Sequence, residues 1–255
     1  GNQRYKSRIV TKGYMQIPGV DYTQRFSPVA QATSLRTGLA ITLYKTDEGW
    51  ICELVDIEAA FLEGRLTNTT YIDLPPGIDK LGFMTKEQYD ELCIELLAGM
   101  YGNVDAALLY FRTFTEFVTK KDKMNMTQSV ADPCVFYRKD KNEKTELIII
   151  VYVDDCCIMG TQKMVNEAKE TLKERFGTVE DGRLRKLLGV RYDWKKDDDT
   201  DEAYLELTMN DKAKEIIEAY EKVTGRTPKD YSSPGAPGTV LKKNEGEMKY
   251  TIYSL

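Results

Sequence analysis

The stretch of sequence that decides the fold is LIIIVYVDDCCIMG, residues 147–160. One apolar run precedes Asp154 and Asp155, and a second apolar run follows them. This pattern predicts two β-strands that meet at a tight turn with two carboxylates at its tip. Adjacent carboxylates repel each other unless a cation lies nearby, and Mg²⁺ prefers oxygen ligands of this kind. Because aspartates also favour turns for local reasons, the pair alone leaves a purely structural role open.

Another carboxylate lies upstream, at Asp56. Residues 51–57 are predicted to form a strand, with Asp56 near its end and a helical turn beginning at about Ala59. If this strand lies beside the strands of the 147–160 hairpin, three carboxylates come together. Three carboxylates are the ligand set of a two-metal phosphoryl-transfer site.

The sequence around these aspartates resembles the motifs of one family. VDIEAAFLEG, residues 55–64, resembles the first catalytic motif of copia-type retrotransposon reverse transcriptases, and YVDD, residues 152–155, matches their YVDD motif. The resemblance extends from about Tyr5 to about Leu241, and the ordered set of motifs is more specific than any one of them. Further blocks of the family follow in the same order at residues 8–14, 19–22, 26–30, 34–36, 132–137 and 187–190.

The resemblance implies a fold and a wider context. The fold is α+β, a right-hand polymerase with fingers, a palm made of an antiparallel sheet plus helices, and a partial thumb. The expected boundaries are 1–31 and 64–109 for the fingers, 32–63 and 110–195 for the palm, and 196–255 for the partial thumb or connection. The chain is expected to be a fragment of a Pol polyprotein whose RNase H and integrase segments lie outside it.

The resemblance also implies an activity, that of an RNA-directed DNA polymerase using two-metal nucleotidyl transfer. The expected metal ligands and catalytic residues are Asp56, Asp154 and Asp155, which would hold two Mg²⁺ ions, with Mn²⁺ as an alternative. The expected partners are an RNA template, a DNA primer and a dNTP. An intracellular, cytoplasmic location is expected, with virus-like particles as a further possibility.

Further site residues follow from the matching motif positions. Phe61, five residues after Asp56, stands at the position of the family's steric gate, where a ring would clash with a ribose 2′-hydroxyl. An ordinary core phenylalanine is the alternative. The remaining expected contacts of the dNTP are Arg8, Lys6 and the backbone carbonyl of Ile57. Arg8 is suited to this role because guanidinium binds phosphate in a bidentate manner. The expected contacts of the primer end are Tyr152 and Val153.

Composition excludes several other classes of protein. With no histidine among 255 residues, an ordinary zinc site and a Ser-His-Asp mechanism are excluded. The five cysteines show no C-x-x-C spacing, which suits a reducing compartment. No run of 18 apolar residues is present, so no membrane partner is expected. The net charge of −5 argues mildly against nucleic-acid binding, although residues 1–20 carry four cations and no acid.

One block departs from the family pattern. Residues 100–110 read MYGNVDAALLY where the family has a stretch like LYGLKQAPR-x-W. Val104, Asp105, Ala107 and Leu108 therefore replace a lysine, a glutamine, a proline and an arginine. Two interpretations stay open: an active divergent enzyme, or a catalytically silent domain that only binds nucleic acid or protein. An RNA-directed RNA polymerase is disfavoured by Phe61 and by the fingers motifs.

The remaining elements are predicted from periodicity and capping signals. The acidic cluster at residues 197–202 is predicted to be a solvated hairpin loop, and strands are predicted at residues 71–74 and 134–137. Helices are predicted over 34–45 with Ser34 as N-cap, from a capping box at Thr85 to about Leu97, over 105–121, over 162–176 with Thr161 as N-cap, and over 210–223.

Overall fold

The computed structural model describes residues 8–228, apart from the side chains of residues 178–181. It is a mixed α/β structure with antiparallel sheets. The chain divides into two compact units, residues 1–207 and residues 208–255. The described part of the second unit consists mainly of one helix.

The helices are α1 (Ala32–Tyr44), α2 (Lys86–Glu91), α3 (Ala106–Thr119), α4 (Gln162–Phe176) and α5 (Asn210–Thr224), with short 3-10 helices at Gly13–Met15, Thr46–Glu48, Ala60–Glu63 and Ile78–Leu81. The strands are β1 (Trp50–Ile57), β2 (Arg65–Asp73), β3 (Cys93–Ala98), β4 (Thr127–Gln128), β5 (Val135–Lys139), β6 (Thr145–Tyr152), β7 (Asp155–Thr161), β8 (Thr178–Arg183), β9 (Lys186–Leu187), β10 (Val190–Lys196) and β11 (Ala203–Thr208).

A six-stranded sheet in the order β4-β5-β6-β7-β1-β8 forms the centre of the first unit. All of its paired strands run antiparallel. Both faces of its middle strands are buried, which explains why the 147–151 run is apolar at every position instead of alternating. Leu147, Ile149 and Val151 belong to one core, whereas Ile148 and Ile150 belong to the other.

The two cores are built by different elements. The first contains Phe114 of α3 together with Leu172 and Phe176 of α4. The second contains Leu39 of α1 and residues of the short β9–β10 hairpin, including Tyr192. The sheet is therefore held between two helices on one side and a helix plus a hairpin on the other, and this packing fixes the ends of β1 and β7.

Most of the predicted elements are confirmed. The 147–160 stretch forms the β6–β7 hairpin, and the predicted strand at 51–57 is β1. Strands β2 and β5 match the predicted segments 71–74 and 134–137 except for one residue of each, and the 197–202 cluster connects β10 to β11. Helices α3, α4 and α5 agree with their predicted ranges to within a few residues; Thr161 precedes α4 as predicted but makes no side-chain capping hydrogen bond.

The predicted helix over residues 85–97 is wrong in its second half. The capping box at Thr85 is present, but α2 ends at Glu91 and residues 93–98 form β3. Strand β3 pairs antiparallel with β2, with Ile94 opposite Ile72. Its side chains alternate between exposed and half-buried positions, so the period is two rather than 3.6. Pairing with β2 stabilises residues 93–98 as a strand, whereas a short helix without tertiary contacts is only marginally stable.

The prediction that Ser34 caps α1 is also wrong. The helix begins at Ala32, and Ser34 lies in its first turn. Instead, a carboxylate oxygen of Asp132 holds the start of the helix, because it accepts hydrogen bonds from the Gln31 N–H at 2.9 Å and from the Ser34 hydroxyl at 2.6 Å. The other Asp132 oxygen accepts from the Cys134 N–H at 3.0 Å. Asp132 therefore connects the start of α1 to the start of β5.

We predict that Asp132→Asn lowers the free energy of unfolding at pH 7 by about 2 kcal/mol, because the amide has only one acceptor oxygen for three donors. Burial alone would raise the pKa of the Asp132 carboxyl, but hydrogen bonds from Ser34, Gln31 and Cys134 outweigh it and lower that pKa. A lowered pKa stabilises the fold above the unfolded-state value of about 3.9, and this stabilisation is lost as pH falls through the folded value.

Urea unfolding of the two proteins at pH 7 and at about pH 3 measures this effect. The difference between wild type and Asp132→Asn should shrink at the lower pH, and a difference independent of pH would contradict the assignment. Asp47→Asn, at an exposed position after α1, is the matched control and should change stability by less than about 0.5 kcal/mol.

Tyr110 gives a second prediction about the core. The residue is 1% exposed, and its hydroxyl makes no hydrogen bond to any described residue. Since an unpaired buried hydroxyl costs about 1–3 kcal/mol, Tyr110→Phe should raise the free energy of unfolding by about 1 kcal/mol. Thermal and urea unfolding measure the change. Tyr192→Phe, at another buried tyrosine, is the control and should not raise the free energy of unfolding. A drop in stability for Tyr110→Phe would show that the Tyr110 hydroxyl is paired.

Candidate active site

The pairing of β1 with β7 places two of the predicted ligands side by side. Asp56 lies directly opposite Asp155 in the antiparallel register, and Tyr152 of β6 lies opposite Asp155 on the other side. Residues directly opposite in a sheet project from the same face, so these three side chains form a row across three strands. The prediction that the two aspartate-bearing segments are neighbours in one sheet is therefore confirmed.

The turn between β6 and β7 holds the other predicted ligand, Asp154. Its backbone carbonyl accepts a hydrogen bond from the Ile57 N–H at 3.0 Å, which attaches the turn to the end of β1. Val153, the first turn residue, has φ 60°. A β-branched residue in this region is strained by about 1–3 kcal/mol, and such strain persists only where surrounding packing enforces it. The position of the carboxylates is thus set by the buried strands on both sides.

Two buried groups beneath the site, Cys156 and Tyr110, have raised pKa values. Burial raises the pKa of the Cys156 thiol, and the charges of Cys157, Asp155, Asp154 and Asp56 act in the same direction. The pKa of Tyr110 is raised as well, mainly by burial, with smaller contributions from Cys156 and from Asp154, Asp56 and Glu63. The opposed Asp56 and Asp155 therefore lie at the edge of a low-dielectric core, where like charges repel each other more strongly than in water.

These residues fit a magnesium ion by the chemistry of their donors. Asp56 and Asp155 are half-buried and Asp154 is exposed, so all three offer carboxylate oxygens at or near the surface. Within residues 8–228, no group of three or more histidine, cysteine or acidic side chains is arranged so that it could hold a metal ion by itself. Mg²⁺ is usually held by one or two carboxylates plus substrate phosphates and not by a closed protein cage. An opposed Asp pair at a strand end satisfies that requirement.

Two of the predicted nucleotide contacts are brought together through a third residue. The Arg8 guanidinium carbon lies 4.3 Å from the centre of the Tyr101 ring, and the Tyr101 and Phe61 rings have centroids 5.3 Å apart at an interplanar angle of 64°. Sequence reasoning gave Tyr101 no role. Tyr101 matches the tyrosine of the family stretch LYGLKQAPR-x-W, and this match within an altered block was the one signal that could have identified it.

The other predicted contacts are placed separately. Ile57 is buried, and its N–H is used by the Asp154 carbonyl. Tyr152 is half-buried and lines an apolar cavity of about 300 Å³ between the start of α1 and the β9–β10 hairpin. Val153 is half-buried at the tip of the turn. Lys6 lies outside the described residues.

Residues of the altered 100–110 block are buried in the fold. Leu108, in place of the family's arginine, is 7% exposed, and Asp105, in place of the glutamine, is 8% exposed. Burial raises the pKa of the Asp105 carboxyl, and one of its oxygens has no hydrogen-bond partner among the described residues. Apolar side chains therefore stand where the family pattern has cations, at Val104 and Leu108, and a buried acid stands where it has a glutamine, at Asp105.

Comparisons with known proteins agree with the motifs. A family model described as "Reverse transcriptase (RNA-dependent DNA polymerase)" matches residues 1–232. The chain is 32% identical over 188 residues to a "Retrovirus-related Pol polyprotein from transposon RE2" of Arabidopsis thaliana, covering 73% of this chain and 12% of that protein. It is 30% identical over 189 residues to the corresponding polyprotein from transposon TNT 1-94 of Nicotiana tabacum, covering 74% of this chain and 13% of that protein.

The chain thus spans about an eighth of the length of these relatives. No solved structure matches it. Within residues 8–228, no helix combines the length and the apolar composition that a bilayer span requires. The resemblance carried by VDIEAAFLEG and YVDD is confirmed by the family match and by the relatives. The chain belongs to the reverse transcriptase (RNA-dependent DNA polymerase) family, with its relatives among Pol polyproteins of copia-type transposons.

Proposed function

We propose that this chain is an RNA-directed DNA polymerase of a copia-type retrotransposon, which transfers a nucleotide from a dNTP to the 3′-hydroxyl of a primer. The single observation that carries this proposal is the register that sets Asp56 opposite Asp155, with Asp154 in the adjoining turn. Family membership alone would also fit a decayed copy. The register supports activity, because it preserves the opposed carboxylates that the chemistry requires.

The metal ligands in this proposal are Asp56, Asp154 and Asp155, with the Ile57 carbonyl as a further donor. Two bound Mg²⁺ ions would activate the primer hydroxyl and neutralise the charge of the triphosphate and the leaving pyrophosphate. The same oxygen donors also suit Mn²⁺. The protein's contribution is to hold the carboxylates in place before substrate arrives, through the buried β6-β7-β1 pairing and the hydrogen bond from Ile57 to Asp154.

The nucleotide in this proposal lies against Phe61 and Arg8. Phe61 is half-buried in the 3-10 helix that follows β1, so one part of its ring is available to a sugar. Arg8 is exposed and carries a guanidinium suited to a triphosphate. Lys6 is proposed as a second phosphate contact, and Tyr152 and Val153 as contacts of the primer end.

The right-hand subdivision is part of the same proposal. Fingers would comprise 1–31 and 64–109, and the palm 32–63 and 110–195, which include all strands of the six-stranded sheet. Residues 196–255 would form a partial thumb or connection. The proposed partners are an RNA template and a DNA primer. Other segments of a Pol polyprotein are proposed as well, because the relatives are named as Pol polyproteins. An intracellular, cytoplasmic location stays a prediction.

A catalytically silent domain that only binds nucleic acid or protein is the second candidate. The observation that favours it is the 100–110 block, where Asp105 is buried with an unpaired oxygen and Leu108 replaces a cation. A buried acid near a triphosphate would be unfavourable. Primer extension separates the two candidates directly.

We predict that the chain extends an oligo(dT) primer on poly(rA) with dTTP and Mg²⁺, and that Asp155→Asn and Asp154→Asn each reduce the rate by about a thousandfold, since the metal supplies several kcal/mol of transition-state stabilisation. Chelation of Mg²⁺ should abolish extension. Asp73→Asn, at the last residue of strand β2, is the matched control and should leave the rate unchanged. Wild-type protein without metal-dependent incorporation would establish the silent domain instead.

We also predict that Phe61→Val raises incorporation of ribonucleotides relative to deoxyribonucleotides by about tenfold, because removing the ring opens space for a 2′-hydroxyl. Single-nucleotide incorporation of ATP and dATP measures the ratio. Phe83→Val, at an exposed phenylalanine outside the proposed site, should leave the ratio as in wild type. An unchanged ratio in Phe61→Val would assign Phe61 to the core alone.

A further inference from the structure

Tyr101 lies between two groups that would touch opposite ends of a nucleotide. The Arg8 guanidinium lies over its ring at 4.3 Å, and the Phe61 ring packs against it at 5.3 Å. Tyr101 itself is half-buried, whereas Arg8 is exposed. Both contacts are attractive, the first as a cation–π interaction and the second as an edge-to-face aromatic pair. Removing the ring would leave both neighbours without their shared support.

The backbone around Tyr101 is fixed independently of its side chain. The Tyr101 carbonyl accepts hydrogen bonds from the Thr11 N–H at 2.8 Å and from the Thr11 hydroxyl at 3.1 Å. A Cβ at Gly13 would lie 1.9 Å from the Gly102 carbonyl oxygen, so only glycine permits this approach. The Val104 N–H donates to the Gln16 side-chain oxygen at 2.7 Å. The amino-terminal segment therefore follows the 101–104 loop closely.

The backbone that carries Phe61 is fixed in the same way. Gly99 approaches it so closely that a Cβ there would lie 2.8 Å from the Phe61 carbonyl oxygen, and the Gly99 N–H donates to the Gly64 carbonyl at 2.7 Å. Glu63, two residues after Phe61, forms an ion pair with Arg175 at 2.6 Å. Phe61 also packs against the first core, and the Tyr101 ring adds a contact on Phe61 and a contact on Arg8 that limit the rotamers open to both side chains.

We infer that Tyr101 is a positioning residue for sugar selectivity, whose ring holds Phe61 against the deoxyribose and Arg8 against the triphosphate of one nucleotide. This inference rests on the proposed function, since it assigns Phe61 and Arg8 to the two ends of a dNTP. It adds a residue that contacts neither end itself. It also explains why the tyrosine is retained where neighbouring positions of the 100–110 block are altered.

The inference is tested with Tyr101→Phe, which keeps the ring, and Tyr101→Leu and Tyr101→Met, which remove it. The backbone hydrogen bonds from Thr11 persist in every variant, so the fold is retained; circular dichroism and melting temperature check this. Tyr89→Leu is the matched control, because Tyr89 is also half-buried and carries a cation, Lys86, at 4.6 Å from its ring.

The first readout is equilibrium binding of dATP and ATP, which differ only in the 2′-hydroxyl, to the full chain on a primer–template with a chain-terminated primer. We expect the preference for dATP to fall about fivefold to tenfold in Tyr101→Leu and Tyr101→Met, in keeping with the loss of an aromatic pair. Tyr101→Phe and Tyr89→Leu should keep the wild-type preference. The second readout is extension with each nucleotide, in which KM for dATP should rise while kcat changes little.

Unchanged preference in folded Tyr101→Leu and Tyr101→Met would overturn the inference, and so would an equal loss in Tyr101→Phe, since that would implicate the hydroxyl and not the ring. Failure of the proposed function has a different signature, namely wild-type protein that does not extend a primer. Because the binding ratio is measured without chemistry, it tests the role of Tyr101 in that case too.

Discussion

The antiparallel pairing of β1 with β7 is the constraint on which the rest of the site depends. It sets Asp56 opposite Asp155 and allows the Ile57 N–H to hold the Asp154 carbonyl. A shift of one residue would turn either carboxylate to the other face, toward the helices α3 and α4. The register is enforced from both sides, because alternate residues of the strands are buried in two separate cores. This packing fixes the two carboxylates opposite each other in the sheet.

The second connected set of contacts lies at the amino-terminal end of the described chain. Thr11 and the side chain of Gln16 form hydrogen bonds to the 101–104 loop, and Gly13 approaches it closely. Tyr101 extends this connection to Phe61. The loop has lost the charged residues of the family pattern. The role proposed for it is geometric, and an edge-to-face aromatic contact can fulfil that role without formal charge. In the proposed function, cationic contact with phosphate then falls to the amino-terminal segment, which carries Arg8.

Sequence patterns were sufficient where local and tertiary preferences agreed. The 147–160 hairpin, strand β1, the capping box at Thr85 and helices α3 to α5 follow from periodicity and turn chemistry. They failed at residues 93–97, where the capping box predicts a continuing helix but pairing with β2 makes a strand. They also failed at Ser34, because the carboxylate that serves the start of α1 comes from Asp132, about a hundred residues away in the chain. Periodicity carries no information about a partner so distant.

The sequence by itself determined the family and the candidate ligands, since the ordered motifs around Asp56 and Asp154-Asp155 are specific to one kind of domain. It also determined that these acids end or join buried strands, because apolar runs flank them. Only the tertiary structure decided that Asp56 faces Asp155, that Val153 takes a strained turn conformation, and that Tyr101 contacts both Arg8 and Phe61. The physical reason is that register and ring contacts arise between segments far apart in the chain, where packing and not local preference fixes the geometry.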